Sequence, residues 1–302
     1  MNYQRMKSIK ILKQIHTEEE ARQWVWRCRF EGKDFFCPQC EGESYWQHHT
    51  KPEVRECDYC RKRLRLRAGT IFESSKHPLL TWIRAINLMM QGKRGISALE
   101  LKRHLGISDH SAWLLLQKIR EGLRQRDENY TLKGVIEVDG ASFGKRAKEN
   151  QVEVLVAVET KEWVDEKGRK KEKAGFAKVK IAAETKREAQ EFADQAIQKG
   201  AFLNSDGAPA LRDLKGFDVD YQVMSNDPKA LDHWLPWVHK FISNAKAWII
   251  GTHHGVDAKY LGRYLSEYAY RFNRRHDLDS LFHRALTACA VAKPMTARSL
   301  CA

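Results

Sequence analysis

The spacing of hydrophobic positions divides this chain into a helical front and a back in which strands and helices alternate. The first 35 residues have a helical, aromatic-rich pattern, with Trp24, Trp26, Phe30, Phe35 and Phe36 leading into a cysteine pair. From Leu79 to about Leu123 the spacing is again helical, interrupted at Gly92, Gly95 and Gly106. The period then shortens: VIEVDG and VEVLVAVE are rich in Val and Ile and predict β-strands. The charged, Gly-containing run WVDEKGRKKEKAGF predicts a hairpin loop, and KVKI (178–181) a third strand. ETKREAQEFADQAIQKG is amphipathic and predicts a helix that ends at Gly200 as C-cap. A short strand FLNSD, a strand around Asp218–Met224 and two long helical stretches from about Trp234 complete the pattern. The alternation indicates an α/β domain from roughly residue 133 onward.

Two cysteine pairs change the picture between residues 37 and 70. Cys37-Pro-Gln-Cys40 and Cys57-Asp-Tyr-Cys60 are separated by sixteen residues. Each pair forms a tight knuckle with two thiolates on one side, and two knuckles complete a tetrahedral zinc site. A bound ion can hold together a module too small for its own core. Four ordinary cysteines, or a redox dithiol, are the alternatives, but a dithiol needs only one such pair. Cys28, Cys289 and Cys301 stand alone, so the seven cysteines suit metal better than disulfides. His48 and His49 are expected to be surface or packing residues, because four sulfurs already fill the site.

Charge points to a polyanion. The chain of 302 residues has 53 Lys and Arg against 39 Asp and Glu, a net charge of +14. A surplus of that size favours nucleic acid, since each neutralised phosphate releases condensed counterions. Arg61, Lys62, Arg63, Arg65 and Arg67 directly follow the second knuckle, and alternate basic side chains on a strand form a one-sided phosphate-binding ridge. The alternative is a solvated edge strand. In GISALELKRHLGISDHSAWLLLQKIREGL, Leu99, Leu101 and Leu105 line a short helix and Gly106 makes a turn. Ser108 or Asp109 can cap the next helix, whose Ala112, Leu115, Leu116 and Ile119 face inward. This is a helix-turn-helix pattern, with Asp109, His110, Ser111, Trp113 and Lys118 as candidate DNA contacts. A plain helical hairpin gives a similar pattern. No stretch approaches the roughly 20 apolar residues of a membrane span, and the N-terminus lacks a signal-peptide pattern, so a cytoplasmic, nucleoid-associated location is expected.

Two aspartates close apolar strands: Asp139 in VIEVDG and Asp206 in FLNSDG. Singly, each Asp-Gly is a turn signal. Together, in one α/β domain, they suit two-metal phosphoryl transfer, in which carboxylates hold the cations that activate the attacking oxygen and stabilise the leaving one.

At these residues the chain resembles bacterial insertion-sequence transposases of the DDE superfamily, in the branch with an N-terminal zinc ribbon and helix-turn-helix. The resemblance runs from about residue 20 to 290, through CPQC, CDYC, RAGTIFESSKHPLLTW, GISALELKRHLGIS, IEVDG, NSDG, HKFISNAKAWIIGTHHGV and RYLSEYAYRFNRR. It implies a ribonuclease-H-like α/β catalytic domain, a mixed sheet with flanking helices, over 133–290. Before it would come a lead-in (1–36), a zinc ribbon (37–70) and an all-α helix-turn-helix module (79–125). It also implies Asp139 and Asp206 as metal-binding acids, and a third ligand seven residues before Lys246, which is His239 in place of the usual glutamate. Lys246 would meet a phosphate. Glu267, Arg271 and Arg274 match a further signature that sets all three on one helical face near the active site. Asp227, Asp232 and Glu267 are the substitutes for a third carboxylate. The implied cofactors are structural Zn²⁺ and catalytic Mg²⁺ or Mn²⁺; the implied partners are terminal-repeat and target DNA, bound by a homodimer or larger assembly. The implied activity is metal-dependent cleavage and strand transfer. A catalytically inactive DNA-binding regulator derived from such an enzyme is the alternative.

Overall fold

The computed structural model describes residues 13–144, 151–223 and 233–301. These fall into two compact units: Asp127–Asn273, and the remainder up to Arg126 and from Arg274 onward.

The first unit starts with α1 (Glu18–Arg29), opened by a capping box in which Thr17 accepts from the Glu20 N–H and Glu20 accepts from the Thr17 N–H. A three-stranded antiparallel sheet follows, β1 (Tyr45–Gln47), β2 (Val54–Cys57) and β3 (Arg63–Arg65). Next come α2 (Leu79–Gln91), α3 (Ala98–Leu105) and α4 (Asp109–Asp127). Pro78 precedes α2 and provides no side-chain cap; Glu18 takes that place, accepting from the N–H groups of Leu79 and Leu80 at 2.7 and 2.9 Å. Gly106 ends α3 in the left-handed region at φ 64°, and the Ser108 hydroxyl accepts from the Ser111 N–H at the start of α4. Leu101, Ala112, Leu115, Leu116 and Ile119 are buried as expected, but Leu99 is 50% exposed and does not line the packed side of α3.

The compact unit that holds the five-stranded sheet ends at Asn273, and the chain after it belongs to the first unit. Helix α8 (Leu278–Val291), defined with α9 (Ala297–Cys301) after the second unit ends, packs on α1 and α2. Its buried Leu281, Phe282, Ala285, Leu286 and Cys289 make it a core helix of the first unit, a long-range pairing that periodicity alone does not reveal.

The second unit is a five-stranded mixed sheet with helices on both faces. Its strands are β4 (Val135–Phe143), β5 (Val152–Val164), β6 (Lys170–Ile181), β7 (Phe202–Ser205) and β8 (Asp218–Tyr221), in the order β6-β5-β4-β7-β8. The first three are antiparallel neighbours; β7 pairs parallel to β4, and β8 to β7. Helix α5 (Lys186–Ala196) links β6 to β7, and α6 (Pro236–His253) and α7 (Ala258–Asn273) follow. The period-2 alternation sorts the strands between two cores. Ile136, Val138, Leu155 and Ala157 face α5, whereas Phe143, Val154, Val156 and Val158 face α6 and α7.

Three sequence expectations change here. The run expected as a hairpin loop is mostly strand, because β5 and β6 remain paired out to Val164↔Lys170 and only 165–169 turn. α5 is capped at Ile197 rather than Gly200, whose φ of 79° belongs to the following turn. The strand placed at Asp218–Met224 stops at Tyr221, and Met224 lies outside the described residues.

Candidate active site

Alternation along β4 decides which side chains reach α6. Glu137 and Asp139 leave the strand on the side opposite Ile136 and Val138, toward the helix that carries His239. Glu137 is buried and accepts from the N–H groups of Trp237 and Val238 at 2.7 and 2.8 Å. Its other oxygen accepts from the Thr160 hydroxyl. These are two of the unpaired N–H groups at the start of a helix, so a buried carboxylate of β4 holds the first turn of α6. Burial pushes the Glu137 carboxyl above the usual carboxylate range, opposed by those N–H and hydroxyl donors. In the same turn, His239 Nε2 lies 3.3 Å from Asp139 Oδ2.

Asp206 follows β7, the parallel neighbour of β4. Its Oδ1 accepts from the Ala208 N–H at 3.0 Å, and Gly207 turns the chain at φ 77°. Burial raises the Asp206 carboxyl; the Ala208 N–H works against this, the Asp139 charge adds to it, and His239 opposes it. Asp139, Asp206 and His239 therefore share one electrostatic neighbourhood. They do not close to a tight ligand cluster: among the described residues, only the four cysteines bring three or more such ligand atoms within 4.8 Å of one another.

Glu184, between β6 and α5, belongs to this neighbourhood and had no signal in the sequence. Burial raises its carboxyl, and the charges of Asp206, Asp139 and Glu153 raise it further. Its carboxylate lies over Gly140, where a Cβ would come within 2.3 Å of Oε2. A larger residue after Asp139 would therefore push the Glu184 carboxylate aside. The oxygen and imidazole donors gathered here suit a hard divalent cation, and the glycine cradle leaves room for a carboxylate beside it.

The other expected site residues lie on α6, on α7 and directly after it. Lys246 is exposed on α6 with its ammonium 5.4 Å from the centre of the Phe143 ring, at the end of β4. Glu267 and Arg271 form a buried pair at 3.5 Å on α7, which packs on β6, two strands from β4. Arg274 follows directly after the end of α7 at Asn273. Asp227 and Asp232 lie outside the described residues.

In the first unit the four cysteine sulfurs lie within 4.8 Å of one another, with Cys37–Cys60 and Cys40–Cys57 each at 3.5 Å. Burial opposes ionisation of Cys37, but backbone N–H groups of Gln39 and Cys40 bring its thiol down to about 7. Four sulfurs on two knuckles are the donor set of a structural zinc site. In the ridge after it, Arg61 and Arg63 are each 73% exposed at the side chain and both pair with Glu56. Lys62 and Arg65 are exposed too. Arg67 is occupied structurally, pairing with Glu53 and donating to the His77 carbonyl. Lys118 is a correction to the DNA-contact set: it is buried and donates to the Glu73 carbonyl, because it falls on the packed side of α4. Asp109 and His110 are exposed and Ser111 is half-buried; Asp109 pairs with Lys102 at 2.6 Å.

A mixed sheet flanked by helices, with acids on two adjacent strands, is consistent with a ribonuclease-H-like domain, and the four-cysteine cluster fits an N-terminal zinc ribbon. Residues 127–273 match the ISXO2-like transposase domain family, which supports an insertion-sequence transposase of the DDE superfamily. Comparison with curated proteins and with solved structures finds no match to the chain. Among the described residues no helix is long and apolar enough to cross a membrane.

Proposed function

We propose that this transposase binds the terminal repeats of its own element and carries out metal-dependent cleavage and strand transfer at Asp139, Asp206 and His239. The observation that carries the reading is the 3.3 Å approach of His239 to Asp139, beside an Asp206 whose carboxyl is raised by the Asp139 charge. Both lie within the segment that matches a transposase domain.

Asp139, Asp206 and His239 would hold Mg²⁺ or Mn²⁺, which would supply Lewis acidity toward the attacking and leaving oxygens. A neutral imidazole in place of a third carboxylate lowers the negative charge of the donor set, which weakens Mg²⁺ binding relative to an all-oxygen set. Glu137 fixes the turn of α6 that presents His239. Lys246, exposed on α6, would meet a phosphate near the cut site. In the first unit, Cys37, Cys40, Cys57 and Cys60 would hold Zn²⁺. Arg61, Lys62, Arg63 and Arg65 offer phosphate contacts, and α3 and α4 form a helix-turn-helix whose exposed Asp109 and His110, with Ser111, are the base-reading positions. Two element ends must be joined, so a dimer or larger assembly on DNA is part of this reading.

The test is cleavage and joining of DNA carrying the flanking terminal repeat, in Mg²⁺ or Mn²⁺. Wild type is expected to cut and join, and Asp139→Asn and His239→Ala to fail while still binding the repeat. Failure of Asp139→Asn alone moves the third ligand elsewhere; binding without cutting by wild type overturns the enzymatic reading.

A further inference from the structure

The antiparallel pair β5–β6 continues past the end of the catalytic sheet. β4 first pairs with β5 at Val135↔Thr160, yet β5 and β6 remain paired from Lys161↔Lys173 out to Val164↔Lys170. The residues between 161 and 173 therefore form a two-stranded ribbon beyond β4, exposed along nearly all its length.

Residues directly opposite share a face, and the face alternates along the strand. Lys161↔Lys173 and Trp163↔Lys171 lie on one face, Glu162↔Glu172 and Val164↔Lys170 on the other. One face thus carries three lysines and Trp163; the other carries two glutamates, a valine and one lysine. On the lysine face, the Lys171 and Lys173 ammoniums lie 5.8 and 5.7 Å from the Trp163 ring centre. Asp165 secures the turn, accepting from Arg169 and pairing with Lys171. Protection of an edge needs charge on either face and no segregation. Here like charge stands opposite like charge on each side, with Lys161 offset by Glu159 at 3.0 Å and Lys171 by Asp165 at 3.1 Å. An anion laid along the lysine face adds to that compensation, above all at Lys173, and the glutamate face turns the same anion away.

We propose that the lysine–tryptophan face of this ribbon contacts the phosphate backbone of double-stranded DNA, outside the cleavage point. The proposal rests on the reading that the second unit acts on DNA. Val164 is eight residues along β5 from Val156, the partner of Asp139. At about 3.3 Å per residue the ribbon tip lies about 25 Å along the strand from the level of Asp139. A duplex covers that distance in roughly seven base pairs at ~3.4 Å each.

The test uses the full chain and a duplex of arbitrary sequence, with binding followed by fluorescence anisotropy across a salt series. Lys173→Gln and Lys170→Gln remove the same charge from opposite faces, three residues apart. Lys173→Gln is expected to weaken binding about five-fold at physiological salt and to lower the salt slope by about 0.9, the loss of one phosphate contact. Lys170→Gln should leave both unchanged, with identical thermal melts for the two variants. Equal effects of the two substitutions, or none from Lys173→Gln, overturn the ribbon contact. Cleavage by wild type is measured in parallel. A wild type that cuts while both variants bind alike defeats the ribbon alone. A face-dependent salt slope without any cutting defeats the enzymatic reading alone.

Discussion

Glu137 and Asp139 leave β4 on one side, two residues apart, and together they determine where α6 begins and what it meets. Glu137→Ala leaves the Trp237 and Val238 N–H groups buried without their acceptor. Each unsatisfied buried group costs about 1–3 kcal/mol, so the substitution should lower stability by roughly 2–4 kcal/mol in denaturant titration. Glu137→Gln retains an accepting oxygen and should recover most of that loss; equal losses in the two variants would mean the helix start is held by something else. A second residue-scale prediction concerns His283, buried on α8 against Trp24. Burial, aided by the Arg284 charge, lowers its imidazole to about 4. Its folded value lies below its unfolded one, so its contribution is fully present above pH about 6.5 and is lost as pH falls toward 4. On the order of 3 kcal/mol is at stake. His283→Gln should flatten the decline of stability between pH 6.5 and 4, as read from melting temperature across that range.

At the scale of elements, the three strands beside the four cysteines are short and their buried cluster is small: Phe35, Cys37 and Cys57 with a few partly buried neighbours. A module with so little core would depend on an ion held by its cysteines. Cys57→Ser is therefore expected to lose one equivalent of bound zinc by metal analysis and to expose this region to protease, while the fold of the 127–273 unit persists. Retention of full zinc by that variant would remove the four-sulfur assignment. The element patterns were legible where period and burial agreed. VEVLVAVE forms a strand because its alternate residues fill two cores at once, VIEVDG and FLNSD place Ile136, Val138 and Leu203 in one of them, and Gly106 ends α3 because a left-handed turn is needed there. The 161–173 ribbon was not legible, because exposed strand residues bury nothing and carry no hydrophobic period; only pairing to β6 makes them a strand. The start of α2 was hidden for a related reason, since Glu18, some sixty residues earlier in the chain, caps it.

For the whole molecule, a net charge of +14 and exposed basic residues in both units imply binding to DNA dominated by counterion release. The affinity of the full chain for nonspecific duplex should fall by orders of magnitude between about 50 and 200 mM salt, linear on a log–log plot. A flat salt response would exclude phosphate neutralisation as the source of binding. What the sequence determined by itself was local or carried by spacing: the two knuckles, the strand-end aspartates, the helical periods and the charge. Each is written within a few residues and needs no distant partner to be read. The tertiary structure decided what depends on contacts between remote segments. It set Glu184 beside Asp139 and Asp206, gave Glu137 to the start of α6, drew Lys118 into the interior, and returned α8 to the first unit. Those outcomes are fixed by sheet order and helix packing, which bring together side chains that no local pattern relates.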